Sequence, residues 1–412
     1  MSFPGPVDRP VCPAARVFLD CRLVTREGPD TCHVAVLSKR LPRKTYANFT
    51  SETWMSIEQS EQPIVGGVDT HKDLHVAAVV DAQDAFLASE SFATTRQGYR
   101  LMLEWMRSFG DLQRVGVEAT GTYGAGVLRF CQKAGIEVLE VTGPDKHDRR
   151  ARGKSDTFDA EAAAHAAFAR RRTVTPKTRD GMVEALRVLK ACRKTAVQAR
   201  RIALQMIGNT IVSAPDALRD TVRHLTRMKQ IRTLAAWRPD MTGYRDMDTA
   251  YRIALKSLAR RYLELHDEIA DLDVMMKAII DDLAPELVAR NSIGYNSAAQ
   301  LLITAGANPD RLRSEASFAA LCGVSPVPAS SGKINRHRLN RGGDRAANSA
   351  LHIIAICRLR CDERTQKYVA RRVTEGLSKL EAIRCLKRYI AREVFNIIQD
   401  RYRAVNQTQI AA

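Results

Sequence analysis

The segment IVGGVDTHKDLHVAAVVD, residues 64–81, constrains the fold of this chain more than any other stretch. A short apolar run ends at Asp69, and after a polar turn a second apolar run extends from Leu74 to Val80. Two such runs around a polar turn predict a pair of β-strands. A carboxylate at the end of a buried strand contributes little to a core, but it is well suited to hold a metal ion. Asp69 is therefore the first candidate ligand.

Strands and helices alternate in the sequence pattern from this segment to about residue 172. The predicted order is three strands, then helix, strand, helix, strand and a final Ala-rich helix. This is the element order of the ribonuclease H-like (RuvC-like) fold, so residues 63–175 are predicted to form an α/β, ribonuclease H-like domain. Element order is an analogy and does not establish a function. The predicted strands are 64–69, 74–81, 86–92, 115–118 and 137–141, and the predicted helices are 98–109, 123–134 and 156–172.

Three further carboxylates are candidates to share a site with Asp69. Glu118 ends the fourth predicted strand, and parallel neighbours place their carboxyl ends in the same crevice. Asp156 and Asp159 begin the Ala-rich helix and share one of its faces. Two-metal sites for phosphoryl transfer need three or four converging carboxylates, because hard cations such as Mg²⁺ take oxygen ligands. The sequence therefore predicts a Mg²⁺ site made by these four acids.

Each of these acids also has a structural interpretation. Asp69 is a suitable turn residue, and Glu118 is an ordinary strand-end carboxylate. Asp156 is a suitable helix N-cap, and Asp159 complements the helix dipole from the first turn. Four acids at these elements in this order nevertheless favour a shared site over four separate roles. The histidines form no recognisable zinc set: His71, His75, His147 and His165.

The balance of charge predicts a polyanionic partner. The chain has 412 residues, and 64 Lys and Arg against 46 Asp and Glu give it a formal charge of +18. Nucleic acid is the usual partner of so basic a protein, and the alternative is a basic surface that only aids solubility. The nine cysteines show no disulfide or zinc spacing, and the sequence contains no membrane-spanning run or secretory signal. We therefore expect a cytoplasmic protein without a membrane partner.

A long helical segment is predicted for residues 176–285, with an interruption at 237–248. Its second half carries apolar residues that alternate by three and four positions, which is the pattern of a coiled coil. This seam pairs either with another helix of the same chain or with a second subunit, and the sequence leaves both alternatives open. The seam consists of Leu255, Leu258, Tyr262, Leu265, Ile269, Leu272, Met276, Ile279 and Leu283.

The mostly α-helical C-terminal domain, residues 286–405, contains two candidate contacts with nucleic acid. Residues 291–306 resemble a helix-hairpin-helix element, whose turn amides can contact a phosphate; the alternative is a plain helical turn. Residues 326–345 form a polar, Gly-rich and basic loop that is suited to clamping phosphates, with a solvated loop as the alternative. The candidate nucleic-acid-binding residues of this loop are Lys333, Arg336, Arg338, Arg341 and Arg345.

Four motifs in this chain resemble those of the DEDD-type transposases of the insertion-sequence one-ten family, which are related to the Piv invertases. They are GVDTHKDLH (67–75), GVEATGTYG (116–124), KSDTFDAEAAA (154–164) and ALCGVSPVPASSGKINRHRLNRGGDRAANSALHIIA (320–355). The resemblance extends over roughly residues 64 to 400, and the irregular N-terminal extension, residues 1–62, has no counterpart in it.

The resemblance implies a RuvC-like nuclease domain whose four acids, Asp69, Glu118, Asp156 and Asp159, bind Mg²⁺. It also implies a C-terminal serine that attacks the DNA phosphate; the family's Ser-Gly pattern falls on Ser331, and Ser330 remains an alternative. Members of the family are associated with a structured guide (bridge) RNA that pairs with donor and target DNA. The resemblance therefore implies DNA, RNA and further copies of this chain, as a dimer or tetramer, as partners of a prokaryotic, nucleoid-associated protein.

The function predicted from the sequence is that of a Mg²⁺-dependent DNA transposase that cuts and rejoins strands through a phosphoserine. One alternative is a RuvC-like nuclease or junction resolvase that uses the four acids and water. The other is a non-catalytic nucleic-acid-binding protein derived from a decayed transposase. The predicted domains are an extension, the nuclease domain, a coiled-coil segment and the serine-bearing transposase domain, at residues 1–62, 63–175, 176–285 and 286–405.

Overall fold

The structure of the protein is a computed structural model that describes residues 62–143, 155–308, 311–332 and 337–411. Within residues 405–411 the backbone alone is described. The irregular extension predicted for residues 1–62 lies outside the described residues, except for Gln62. Of the helices in the described ranges, none is both long and apolar enough to cross a membrane.

A mixed β-sheet with helices forms the N-terminal part of the described structure. Its elements are β1 (Pro63–Thr70), β2 (Leu74–Val80), β3 (Phe86–Ala93), α1 (Arg96–Arg107), β4 (Asp111–Glu118), α2 (Ala125–Lys133), β5 (Glu137–Val141), α3 (Asp156–Phe168) and β6 (Thr173–Val174). The six strands lie in the order β3-β2-β1-β4-β5-β6. β1, β2 and β3 are antiparallel neighbours, and β1, β4 and β5 run parallel. The α/β fold class is confirmed, while the ribonuclease H-like assignment stays a prediction.

Strand β1 lies in the middle of the sheet, and its side chains alternate between two helical layers. Ile64 and Val68 pack into the core formed with α1 and α2. Val65, one position away from Ile64, packs instead with residues of α3. This alternation follows from the two-residue period of a strand, and it places every second residue of β1 on the face that α3 covers.

Helix α3 packs against β1 and β4 with almost no space between the backbones. A Cβ atom at Gly67 of β1 would lie 2.2 Å from the carbonyl oxygen of Ala160 and 2.2 Å from the amide nitrogen of Ala164. At Gly116 of β4 it would lie 2.4 Å from the carbonyl oxygen of Ala163. The glycines of the strands and the alanines of the helix therefore permit a close approach that larger residues would prevent.

The end of α3 differs from the sequence prediction. The helix ends at Phe168, whereas the Ala-rich pattern predicted that it continues to residue 172. Arg170 and Arg172 adopt left-handed backbone conformations, with φ angles of 49° and 56°, which an α-helix cannot contain. The chain then pairs Thr173 and Val174 with β5 as a short antiparallel strand that the sequence did not predict.

Two long helices form an antiparallel hairpin after the sheet. The elements are α4 (Gly181–Val212), α5 (Asp216–Val222), α6 (Arg227–Ala236) and α7 (Met247–Leu283). Arg193 Nη2 of α4 donates to Asp273 Oδ2 of α7 over 3.0 Å, and Arg200 Nη1 lies 2.9 Å from His266 Nδ1. Much of the apolar seam of α7 is buried within the chain, at Leu255, Tyr262, Ile269, Leu272 and Met276. The coiled-coil geometry and any pairing with a second subunit remain predictions.

The C-terminal part is mostly helical, as the sequence predicted. Its elements are α8 (Pro285–Val288), α9 (Tyr295–Ala305), α10 (Glu315–Leu321), β7 (Val327–Pro328), β8 (His337–Arg338), α11 (Arg345–Cys361), α12 (Glu363–Thr374) and α13 (Lys379–Ala411). Leu186 of α4 and Met276 and Ile280 of α7 belong to the hydrophobic core of these helices. The base of the hairpin and the C-terminal helices therefore share one core.

Three side-chain hydrogen bonds fasten the segment after β6 to the C-terminal helices. Burial and the neighbouring charges of Arg311 and Arg179 lower the pKa of the Lys177 amine to about 8. All three acceptors are main-chain carbonyl oxygens. The bonds run from Lys177 Nζ to Ile303 O (2.6 Å), from Asn308 Nδ2 to Pro176 O (3.0 Å) and from Arg311 Nε to Thr175 O (3.1 Å).

Replacing Gly67 with alanine is expected to lower the free energy of unfolding by about 1–3 kcal/mol, because the added methyl group must push α3 away from β1. The shift is measured as the midpoint of urea unfolding followed by circular dichroism.

The matched control is Gly208→Ala in the interior of α4, where an added Cβ meets no atom within 4 Å. This change is expected to stabilise the protein by ~0.5–1 kcal/mol through helix propensity. A Gly67→Ala protein as stable as the parent would show that the contact between α3 and β1 is looser than described.

Candidate active site

The carboxyl ends of β1 and β4 lie side by side. Val68 pairs with Val117 across the two parallel strands. One step further, the Thr70 hydroxyl donates a hydrogen bond of 2.9 Å to the carbonyl oxygen of Glu118. Asp69 and Glu118 therefore occupy neighbouring strand ends, which is where the sequence placed them.

Asp69 points to the layer that α3 occupies. It follows Gly67 by two residues and so shares its face of β1. Asp69 is 8% exposed, so its carboxylate lies largely out of solvent at the edge of the sheet. The first turn of α3, with Asp156 and Asp159, is the nearest source of further acids.

Ser155 is the N-cap of α3, and its hydroxyl accepts a hydrogen bond of 3.1 Å from the amide of Phe158. The interpretation of Asp156 as the N-cap is therefore wrong. The Asp156 side chain is 55% exposed, whereas Asp159, three residues later, is 4% exposed. Both acids lie in the first turn, where the helix dipole stabilises negative charge.

His71 connects the strand end to the helix start. Its Nδ1 lies 3.5 Å from Asp69 Oδ2, and its Nε2 lies 3.8 Å from Asp156 Oδ1. One ligand atom from each of these three residues lies within 4.8 Å of the other two. His71 was not among the ligands predicted from the sequence, because its spacing from the other histidines suggests no ligand set. Its position two residues after Asp69 was the available signal.

The surroundings of Asp69 disfavour its negative charge. The pKa of Asp69 is raised above its ordinary value, chiefly by burial and then by the charges of Asp159 and Asp156. His71 and the backbone amide of Thr70 oppose this rise. A cation at this place would balance the charges, so the donor set fits a divalent metal with mainly oxygen ligands.

The basic loop and Ser331 lie in the C-terminal part. Ser331 is exposed, and so are Arg338 in β8, Arg341 and Arg345, whereas Lys333 and Arg336 of the same loop lie outside the described residues. Within the described part of the chain, no hydrogen bond links Ser331 to any of the four acids. The structure thus groups Asp69, Asp156 and Asp159, with Glu118 at the adjacent strand end.

Asp344 anchors the end of the basic loop. Its carboxylate accepts hydrogen bonds from the amides of Ala346 (2.8 Å) and Ala347 (3.2 Å) and so caps α11. It also accepts a bond of 2.6 Å from the Thr304 hydroxyl of α9. The loop therefore returns to a fixed point between two helices, and this anchor was not among the residues that the sequence singled out.

Comparison with known proteins places the chain in a family. Residues 66–212 match the DEDD family model of the IS110 type, described as "Transposase", and residues 287–370 match the model "Transposase IS116/IS110/IS902 family". The two matches together cover more than half of the chain. They define the protein first as a transposase, and hence as one whose substrate is DNA. It belongs to the IS110 family of DEDD transposases.

Two insertion-element proteins are similar to this chain. The uncharacterized 42 kDa protein of insertion element IS900 from Mycobacterium paratuberculosis is 23% identical over 389 residues, which is 82% of this chain and 96% of that protein. The uncharacterized 43.6 kDa protein of insertion element IS110 from Streptomyces coelicolor is 26% identical over 151 residues, 36% of this chain and 37% of that protein.

Replacing Asp69 with asparagine is expected to raise the melting temperature of the metal-free protein at neutral pH. Because the pKa of this carboxyl is raised in the folded state, folding stability falls as pH rises from 3.8 through the higher folded value. Above the folded-state pKa, the ionised Asp69 carboxylate destabilises the fold to its full extent, whereas the neutral asparagine side chain has no such cost. Thermal melts in a chelating buffer should therefore show a difference that grows from pH 4 to pH 7.

Asp271→Asn, on an exposed position of α7, is the matched control and should leave the melting temperature unchanged. A lower melting temperature for Asp69→Asn would instead support the structural interpretation, in which the carboxylate stabilises the turn after β1.

Proposed function

We propose that this transposase cuts and rejoins DNA strands through a covalent phosphoserine on Ser331, with Mg²⁺ bound by Asp69, Glu118, Asp156 and Asp159. The observation that carries the proposal is the grouping of Asp69 of β1 with Asp156 and Asp159 of α3, beside the neighbouring strand end that carries Glu118. The sheet with α1 to α3 would then be a ribonuclease H-like nuclease domain, as its element order suggests.

The acid set supports a metal-dependent mechanism. Asp69, Asp156 and Asp159 provide carboxylate oxygens of mutually unfavourable charge, and His71 bridges two of them. When bound, Mg²⁺ would stabilise charge on the phosphate under attack and lower the pKa of the attacking hydroxyl. We assign His71 the role of orienting Asp69 and Asp156, because Mg²⁺ prefers oxygen over nitrogen ligands.

Ser331 would supply the nucleophile. Its Oγ forms a bond to a DNA phosphorus while the bond from that phosphorus to a deoxyribose oxygen breaks, and the departing oxygen takes up the proton. In rejoining, a deoxyribose hydroxyl attacks the phosphoserine, loses its proton and releases the serine hydroxyl. Each step exchanges one phosphoester bond for another, so the reaction needs no external source of energy. Activation by a base, or by a metal ion that the carboxylates hold, is required because a serine hydroxyl is a weak nucleophile at neutral pH.

The basic loop would hold the phosphates near the nucleophile. Arg338, Arg341 and Arg345 are exposed, and their guanidinium groups can each donate two hydrogen bonds to one phosphate. We assign the same role to Lys333 and Arg336 of this loop. Neutralising charge around the reacting phosphate lowers the barrier to its attack.

A structured guide RNA and further copies of the chain complete the proposal. Pairing of an RNA with donor and target DNA would provide sequence specificity, and a protein of charge +18 would hold the backbones. Recombination joins two duplexes, which requires at least two active sites and hence a dimer or tetramer. In such an assembly, the acids of one subunit and Ser331 of another can form one site.

Replacing Ser331 with alanine is expected to abolish both strand cleavage and the covalent protein–DNA adduct, because no other group takes over the attack. The adduct is measured by denaturing gel electrophoresis of the protein with end-labelled element DNA and Mg²⁺. Ser330→Ala is the matched control and should retain the adduct.

The other outcomes separate the alternative functions. Cleavage without an adduct in Ser331→Ala would indicate a nuclease that uses the acids and water. An adduct lost only in Ser330→Ala would identify Ser330, rather than Ser331, as the nucleophile. Recombination that persists in Asp69→Ala would reject the acid site itself.

The RNA component is tested on the purified protein. Sequencing of the RNA that co-purifies with it is expected to yield one species from the flank of the element, with segments complementary to donor and target DNA. Guidance by RNA would be rejected if protein that was purified without RNA, and then treated with RNase to completion, still recombined DNA.

A further inference from the structure

A basic groove lies between three helices of the described structure, and none of the four candidate acids is among its lining residues. It has a volume of about 470 Å³ and is bounded by α4, the start of α9 and the start of α11. Helix α4 contributes Arg187, Lys190, Arg193 and Lys194, and no acidic side chain of the described residues lines the groove. The remainder of the lining is small or uncharged, with amide and hydroxyl groups such as those of Asn296 and Ser349.

The positive charge of the groove is only partly neutralised. Arg187 and Arg193 form ion pairs with Glu184 and Asp273, which lie outside the lining. Lys194 is exposed and, in the described structure, forms no hydrogen bond or ion pair. An anion that enters the groove would therefore meet the unpaired ammonium group of Lys194 without displacing an existing partner.

Lys190 is held across the groove. Its Nζ donates to the Asn296 side-chain oxygen over 2.6 Å and to the Asn296 carbonyl oxygen over 3.1 Å. Burial, followed by the charges of Arg193 and Lys194, lowers the pKa of Lys190 to about 8. The part of this shift that Arg193 and Lys194 cause is repulsion between cations, which an anionic ligand would relieve.

Two helices begin at this groove. Helix α9 starts at Tyr295, and its N-cap, Gly294, provides no side-chain hydrogen bond to the first turn. This is the turn that the sequence identified as helix-hairpin-helix-like. Helix α11 starts at Arg345, next to the lining residue Ala346. The Asp344 carboxylate already caps the start of α11, so the uncapped start of α9 is the one whose partial positive charge adds to that of the α4 side chains.

The groove begins where the loop that carries Ser331 ends, since the lining residue Ala346 directly follows Arg345. The loop ends at the cap of α11, and the first residues of that helix, beginning with the exposed Arg345, lead into the groove. A strand held by the arginines of the loop therefore has a basic path to follow along α4. The groove is too small to contain a duplex, but it can take one sugar-phosphate backbone.

We propose that this groove binds one backbone of duplex DNA beside the strand that is cut. The inference rests on the proposed function for the position of the cut strand. DNA is chosen as the occupant because the chain belongs to a family of transposases. Groups that contact only phosphates read no sequence. The groove would thus fix the position of the DNA without contributing to the choice of target.

The test uses Lys194→Ala in the full-length protein and measures fluorescence anisotropy with labelled duplex DNA in a chelating buffer. We expect a loss of affinity of roughly threefold to tenfold, equal for unrelated sequences, and a salt slope smaller by about one. Lys229→Ala on α6, an exposed lysine outside the groove, is the matched control and should bind as the parent does.

A second pair of variants adds negative charge instead of removing positive charge. Gln198→Glu places a carboxylate in the lining of the groove, whereas Gln205→Glu places one on the same helix beyond it. Weaker binding in the first variant alone supports the proposal, and melting temperatures confirm that both proteins fold.

Three results would overturn the inference. These are unchanged affinity in both groove variants, equal losses in groove and control variants, and a loss confined to structured RNA with duplex DNA binding intact. Because the chelating buffer excludes cleavage, the outcome does not depend on the nucleophile. A groove that binds DNA while Ser331→Ala still forms an adduct would leave this inference standing and reject the assignment of Ser331.

Discussion

The close approach of α3 to the sheet is the constraint on which the arrangement of the acids depends. Gly67 and Gly116 leave room for the helix backbone only because neither has a side chain. Asp69 lies two residues after one of these glycines, and Glu118 lies two residues after the other. The residues that permit the contact and the residues that carry charge are thus on the same strands, so any displacement of α3 alters the distance between the two groups of acids.

Charge is distributed unevenly over this basic chain. Acids gather at the sheet edge, where burial and mutual repulsion raise the pKa of Asp69, while cations gather on the loop after Ser331 and along α4. The two regions require ligands of opposite charge, and the proposed reaction provides both. A nucleic-acid backbone balances the cations, and a metal ion balances the acids. Each part is therefore electrostatically incomplete without the ligand that the proposed reaction brings to it.

The sequence predicted what depends on local pattern. Strand periodicity and element order were sufficient to place Asp69 and Glu118 at adjacent strand ends, and the Ala-rich helix placed Asp156 and Asp159 in one first turn. The contact of His71 with Asp156 could not be predicted, since it depends on how a turn and a distant helix meet. The same holds for the groove, whose walls come from three helices, and for β6, which forms because two arginines leave the helical conformation.

The three hydrogen bonds that fasten the segment after β6 have main-chain carbonyl oxygens as their acceptors, those of Thr175, Pro176 and Ile303. Since every residue type has this carbonyl, mutation at the three acceptor positions leaves the bonding atoms in place. The donors are side-chain nitrogen atoms of Lys177, Asn308 and Arg311, so mutation of these residues removes the bonding atoms. During divergence, this connection between the sheet and the C-terminal helices can therefore persist while the three acceptor residues change identity. A comparison of related sequences should find the three donor residues retained more often than the three acceptor residues.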